Sequence, residues 1–188
     1  MELKKTLNFN FKYLDCELRN IYPDDISLEY IEGLKNQEKY IENIPHKISF
    51  QSQKKYINNI LYSKNNIITG FFIKGNLVGT SGIQISNNHE YFHQLKQNIF
   101  SIGIFIFDKN KRGMGFGKIL VWASLFLHHY CFGSDIYFAG MNIENIPSLR
   151  TFLSCGFKIN YKNEDLYFVS LKYENLIQPK NVLNIKIK

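Results

Sequence analysis

Apolar residues recur along this chain in two rhythms, and each change of rhythm predicts a change of element. Residues 14–21 read as a strand. Tyr22-Pro23-Asp24-Asp25 then offers a turn and an N-cap for a helix that carries Ile26, Tyr30, Ile31 and Leu34 on one face. After a polar stretch containing Pro45, Ser49 or Ser52 caps a second helix in which Tyr56, Ile57, Ile60 and Leu61 recur at helical spacing. Residues 67–73 and 77–85 are strand-like runs separated by Lys74-Gly75-Asn76, where Gly-Asn suits the positive φ angles of a tight hairpin.

The polar segment 86–98 leads into an unbroken apolar run over 100–107, the pattern of a central strand buried on both faces. A helix is predicted from Gly115 to about Cys131, with Phe116, Ile119, Leu120, Ala123, Phe126, Leu127 and Tyr130 on its apolar side and Gly133 just past its end. Residues 136–141 form the next strand. Pro147 and Gly156 bracket a short helix, and residues 157–161 and 166–173 complete the pattern as two strands. The order predicts one α/β (α+β) domain over 1–175, with 176–188 as a tail or an added edge strand.

Composition narrows the function. In 188 residues, 45% hydrophobic and 15% aromatic content suffices for one sizeable core. A net charge of +7 suits an anionic ligand. The Lys and Arg residues are scattered among Asn and Ile and no nucleic-acid motif accompanies them, so a phosphate-bearing small molecule is the expected partner and nucleic acid is not. Cys16, Cys131 and Cys155 are odd in number and show no C-x-x-C spacing, as in a reduced, cytoplasmic protein. The N-terminal segment lacks an uninterrupted apolar core, and no run reaches the roughly 18 apolar residues that span a bilayer. Neither secretion nor a membrane is expected.

The chemistry concentrates between the central strand and its helix, in Asp108-Lys109-Asn110-Lys111-Arg112-Gly113-Met114-Gly115-Phe116-Gly117-Lys118. Glycines at 113, 115 and 117 let backbone N–H groups approach an anion, the helix N-terminus adds partial positive charge, and Lys111, Arg112 and Lys118 add full charges. A diphosphate fits such a turn. It is not a P-loop, because Lys118 falls outside the G-x-x-x-x-G-K-[ST] frame, and it does not open a βαβ repeat as a dinucleotide fingerprint does.

Arg112-x-x-Gly115-x-Gly117 resembles the R/Q-x-x-G-x-G/A signature of the Gcn5-related N-acetyltransferase superfamily. A second stretch, Asn145-Ile146-Pro147-Ser148-Leu149-Arg150-Thr151-Phe152-Leu153-Ser154-Cys155-Gly156-Phe157, is similar to that family's later N-x-x-S/A-x-x-x-Y-x-x-x-G-F pattern. Leu18-Arg19-Asn20-Ile21 before Pro23-Asp24-Asp25 resembles the opening of the branch containing ribosomal-protein and nucleotide-amino-sugar acetyltransferases.

The resemblance implies a mixed, mostly antiparallel sheet flanked by helices, with the fourth and fifth strands (100–107 and 136–141) splayed apart. Acetyl-CoA is the implied co-substrate. Its pantetheine arm would lie along Ile104, Phe105 and Ile106, its pyrophosphate on Arg112, Gly113, Met114, Gly115, Phe116, Gly117 and Lys118, with Asn145 bonding the arm and Ser148 nearby. The implied reaction is direct transfer of the acetyl group to a primary amine on a small molecule or peptide, with a nucleotide-linked amino sugar favoured. The alternatives are a protein N-terminus, or CoA binding without turnover; a homodimer is compatible.

Two positions depart from the family pattern. Phe152 stands where the family's proton-donating tyrosine belongs, leaving Ser148, Ser154 or water as donor. Ser101 stands where many relatives have an acidic residue, so His89, Glu90 and His93 become candidates for the base. Cys155 reads as a buried structural thiol and His128 and His129 as residues of a helix end. His89-Glu90-Tyr91-Phe92-His93 also spells H-E-x-x-H, but it has no third ligand at metalloprotease spacing, and no metal is expected.

Overall fold

The computed structural model describes residues 3–36, 48–86 and 99–188. It begins with a strand that the sequence pattern did not announce. β1 (Leu7–Phe11) alternates buried and half-buried positions and turns through Lys12 and Tyr13, both left-handed (φ 48° and 67°), into β2 (Leu14–Asn20). Such two-residue turns match the twist of the strands they join.

A single 3-10 turn, Pro23–Asp25, precedes α1 (Leu28–Lys35). Ser27, rather than Asp24 or Asp25, caps α1 by accepting from the Tyr30 amide at 3.2 Å. Asp25 is occupied elsewhere: it takes Arg19 through two 2.8 Å bonds and accepts from the Tyr22 amide. Both candidate caps of α2 (Phe50–Leu61) are used, because Ser49 and Ser52 bond each other's amides in a reciprocal box.

β3 (Asn66–Ile73) and β4 (Asn76–Ile85) form the expected hairpin. Its left-handed residues are Lys74 and Gly75, not Gly75 and Asn76. β5 (Ile99–Ile106), α3 (Phe116–Phe132), β6 (Ile136–Asn142), α4 (Ile146–Ser154), β7 (Lys158–Lys162), β8 (Leu166–Lys172) and β9 (Val182–Ile187) follow. The nine strands form one sheet in the order β7-β8-β6-β5-β4-β3-β2-β1-β9, antiparallel throughout except at β5–β6.

α3 and α4 cover one face of the sheet, where Phe71, Trp122, Leu120, Leu125, Tyr137 and Phe152 are buried. α1 and α2 cover part of the other face, around Ile21, Ile57, Ile68 and Phe107. α3 is buried well beyond a single stripe: Val121, Ser124, Leu125 and His128 are also inaccessible, while Tyr130, which falls on the predicted apolar side, is 59% exposed. β5 is central but not buried on both faces. Gly103 is exposed, and Ser101, Ile104, Phe105 and Ile106 are half-buried.

Candidate functional site

The site begins where two parallel strands part. β5 pairs with β6 only at Ile99–Ile136, Phe100–Tyr137 and Ser101–Phe138, although β5 continues to Ile106 and β6 to Asn142. The extra N-terminal strand makes these the fifth and sixth strands of the chain. Hydrogen-bond phase shows which groups line the opening. The Ser86 amide donates to Ile99 O at 2.8 Å, so the odd-numbered residues of β5 address β4 and the even-numbered ones face β6. Ile143 N–H to Asp165 O and Tyr173 N–H to Asp135 O fix β6 in the phase that turns the backbone of Gly140 toward β5. The N–H and C=O of Ile104 and Gly140, with the N–H of Ile106, therefore edge a gap with no strand opposite them. Backbone polar groups so placed call for a hydrogen-bonding occupant.

At the mouth of the gap the chain makes the glycine turn. Phe107 anchors it, buried edge-on against Tyr30 with ring centroids 5.4 Å apart. Asp108 accepts from the Asn110 amide at 2.9 Å, closing the short 3-10 turn Lys109–Lys111. Arg112 then folds back, and its Nε donates to Ile106 O at 2.9 Å, satisfying the last carbonyl on the open edge of β5.

The three glycines serve different ends. Gly113 and Gly115 are left-handed, at φ 72° and 91°, and Gly115 is the N-cap of α3. Gly117 is helical, and a Cβ there would lie 3.3 Å from Thr151 Cγ2 and 3.7 Å from Ile104 Cδ1, so its role is close approach of α3 to α4 and β5. Phe116, Gly117 and Lys118 are the first three helical residues. Their N–H groups precede the first intrahelical bond, Ile119 N–H to Gly115 O, and form the positive end of the helix dipole. Lys12 at the β1–β2 turn brings its Nζ within 3.5 Å of Met114 O, adding a cation from a distant part of the sequence.

Across the gap, α4 starts at Asn145, whose Oδ1 accepts from the Ser148 amide at 3.2 Å. Ser148 is half-buried on the first turn. Ile104 and Ile106 point their side chains toward the α3 face, whereas Phe105 points to the opposite face, 6.1 Å from Phe107. The three residues thus line two sides of β5 rather than one wall.

The candidate proton-transfer residues are dispersed. Phe152 is 2% exposed and meets Phe157 edge-on at 5.0 Å, within the core between α4 and the sheet. Ser154 is exposed and donates to Thr151 O at 2.7 Å. Cys155 is fully buried, and burial pushes its thiol up to about 12. His128 is not at a solvated helix end: it is 2% exposed, and its Nδ1 lies 3.1 Å from the Tyr137 hydroxyl, which donates to Ser134 O. Burial, with a contribution from His129, lowers its pKa to about 4. His129 does sit at the end of α3, with Nδ1 2.9 Å from Ser134 O and 3.4 Å from Asp135. His89, Glu90 and His93 lie outside the described residues, among which no group of three metal-binding side chains occurs.

Sequence reasoning missed a row of glycines. Gly82 on β4 pairs directly with Gly103 on β5, and Gly140 lies on β6 two residues past the last β5–β6 pair, Ser101–Phe138, across the gap. All three are exposed, on the sheet face opposite α3; a Cβ at Gly82 or Gly103 would meet nothing within 4 Å, whereas one at Gly140 would meet the Phe168 ring at 3.4 Å. Only strand register brings the three together. A glycine inside a strand was the available signal, since it marks a close approach by a ligand or another backbone.

The splayed parallel pair inside an otherwise antiparallel sheet, with a glycine turn leading into the helix beside it, is the fold of the Gcn5-related N-acetyltransferases. No family model and no curated protein matches the chain by sequence. Solved structures match by shape. RimJ of Mycobacterium smegmatis, in complex with CoA-disulfide, superposes with a TM-score of 0.73 at 15% identity, covering 95% of this chain and 93% of that one. AAC(6')-Ib in complex with ribostamycin and coenzyme A gives 0.71 at 14% identity, covering 85% and 94%. The ribosomal-protein-S5-alanine acetyltransferase of Vibrio fischeri gives 0.70 at 14%, covering 91% and 99%.

Proposed function

We propose that this chain is an N-acetyltransferase that takes acetyl-CoA as co-substrate and transfers its acetyl group directly to a primary amine. The observation that carries the proposal is the open edge of β5, with its unpaired amides and carbonyls leading straight to the exposed N-terminus of α3. An extended arm bearing amides suits the first feature and a diphosphate suits the second. The structural neighbours crystallised with CoA species give further support.

In this reading the amides of Phe116, Gly117 and Lys118 hold the pyrophosphate, helped by the charges of Lys12, Lys111 and Lys118, while Arg112 braces the turn against β5. Ile104 and Gly140 bond the pantetheine arm from either side, with Asn145 and Ser148 at its flank. The amine lone pair attacks the thioester carbonyl carbon, and a β5 amide steadies the developing oxyanion. The C–N bond forms, the C–S bond breaks, and the proton shed by the ammonium reaches the departing thiolate through water or Ser148. Phe152 takes no part in proton transfer. We favour a small-molecule amine, such as a nucleotide-linked amino sugar, over a protein N-terminus.

The buried Phe152 favours one other reading, a CoA-binding module without turnover. An acceptor screen decides between the two: purified protein with acetyl-CoA is offered nucleotide amino sugars, polyamines and peptides, with free thiol followed optically and products by mass spectrometry. Acetylated product establishes transfer. CoA binding by calorimetry without thiol release from any amine refutes it.

A further inference from the structure

Two hairpins turn side by side at the end of the sheet where the glycine turn lies, and they are built differently. The Lys74 amide donates to Asp15 O at 2.9 Å, which sets the β3–β4 turn beside the β1–β2 turn. β3–β4 has Gly75 at its second left-handed position, φ 80°, as such turns ordinarily do. β1–β2 has Tyr13 there, at φ 67°, after Lys12 at φ 48°. A tyrosine held left-handed is a backbone outlier, and outliers of this kind gather at ligand sites. Tyr13 is also 100% exposed, so its ring contributes nothing to the core. Glycine at this position would relieve the strain without removing any buried contact.

The tip is fastened to the glycine turn. Lys12 Nζ lies 3.5 Å from Met114 O and 5.3 Å from the centre of the Phe11 ring. Phe11 packs edge-on against Phe116 at 5.6 Å, and its Cζ is 3.9 Å from where a Cβ on Gly115 would lie. The N-cap and first residue of α3 are therefore direct neighbours of this hairpin end. Asp15, the adjoining carboxylate, alternates to the face away from Leu14 and Cys16 and accepts from Asn10 Nδ2 at 2.6 Å. Lys12 thus brings a cation to the helix terminus, and the exposed ring of Tyr13 follows about 3.8 Å further along the backbone. A cation followed by an aromatic ring suits a phosphate followed by a base.

We propose that the tip of the β1–β2 hairpin clamps the nucleotide end of acetyl-CoA, with Tyr13 against the adenine ring and Lys12 offsetting the charge of the phosphates beside it. The clamp rests on the acetyl-CoA reading and names its nucleotide subsite. Acetyl-CoA ends in an adenosine that carries the diphosphate and a 3′-phosphate. The open edge of β5 accounts for the arm and the amides of α3 for the diphosphate, which leaves the purine to be placed. Stacking a base on an aromatic side chain changes affinity by roughly 5- to 150-fold. A two-residue turn is short and stiff, so it presents such a ring with little loss of freedom on binding. The strain at Tyr13 is then the local cost of holding a ring where a glycine would offer none.

The test uses the full chain and CoA. By titration calorimetry, Tyr13→Ala should weaken CoA binding at least about fivefold, and Tyr13→Phe should stay within about twofold of the parent. Lys12→Met should weaken it by a similar factor and flatten its dependence on salt, because an exposed charge pair is screened. In proton NMR of CoA exchanging with the protein, adenine H2 and H8 should move upfield with the parent and with Tyr13→Phe, but not with Tyr13→Ala. Lys12→Asn combined with Tyr13→Gly should raise the urea midpoint while lowering CoA affinity at least about tenfold, the opposed signs of a strained binding element. Adenine protons unmoved in the parent complex, or CoA held equally by the parent and Tyr13→Ala, overturns the clamp. A parent that binds no CoA instead overturns the reading on which the clamp rests.

Discussion

Replacing Gly115 and Gly117 separately by alanine distinguishes backbone strain from steric exclusion at the glycine turn proposed to hold the pyrophosphate. At Gly115 a Cβ meets only Phe11 Cζ at 3.9 Å, so the penalty in Gly115→Ala is conformational. Holding an alanine at φ 91° costs about 1–2 kcal/mol. Relief by rotating φ to negative values swings the adjoining peptide and withdraws the Phe116 amide from the mouth. Losing one charge-assisted bond of that kind is worth about 1.5–3 kcal/mol, or roughly 10- to 150-fold in CoA affinity. Gly117→Ala behaves differently. Helix propensity gains up to about 1 kcal/mol, offset by the 3.3 Å approach to Thr151 Cγ2, so stability stays within about 0.5 kcal/mol of the parent. Its methyl nonetheless projects toward Ile104 at the edge of the gap, and CoA binding falls. Urea unfolding measures the first quantity and titration calorimetry with CoA the second. If Gly115→Ala loses the expected stability yet binds CoA like the parent, the pyrophosphate does not rest on this turn.

Three further outcomes are expected. Asn145→Ala removes the cap on the Ser148 amide and lowers stability by about 1 kcal/mol; Asn145→Ser restores the cap but not CoA affinity, which chemical denaturation and calorimetry separate. Phe152→Tyr places a hydroxyl against Phe157 in the core and costs about 1–3 kcal/mol, with no gain in turnover; a faster, equally stable variant refutes that placement. His128 has a folded pKa of about 4 against 6.5 unfolded, so between these values the unfolded chain binds a proton that the native chain refuses. Stability therefore falls as pH drops from about 6.5 to 4, by about 3 kcal/mol in total, and His128→Phe flattens this contribution in melts recorded across that range.

From residue 14 onward the order of strands and helices was legible because each element kept one rhythm and was punctuated by Pro, Gly or Ser. β1 escaped although Leu7, Phe9 and Phe11 alternate cleanly with Asn8 and Asn10. Its turn, Lys12-Tyr13, carries none of the usual turn residues yet adopts their left-handed angles. The glycine turn was visible as a motif, but not the division of labour within it: positive φ at Gly113 and Gly115, helix approach at Gly117. Such roles depend on neighbours from α4 and β5. The row Gly82–Gly103–Gly140 was wholly hidden, since its members are unremarkable in their own strands until register aligns them. Phe152 was noticed as a substitution, while its burial against Phe157 is a fact of packing that no local spacing encodes.

Arg112 gives the opening in the sheet a fixed length. By taking Ile106 O, it closes the far end of the free edge, while the last β5–β6 pairing at Ser101–Phe138 closes the near end. The two marks are five strand rises apart, about 17 Å at the usual rise. The chain thus carries a ruler marked at both ends. On the proposed acetyl-CoA reading, the ligand seated on it places its anion and its reacting carbon that far apart, so an arm shortened or lengthened by one amide unit sets one end out of register whatever its chemical affinity for the other.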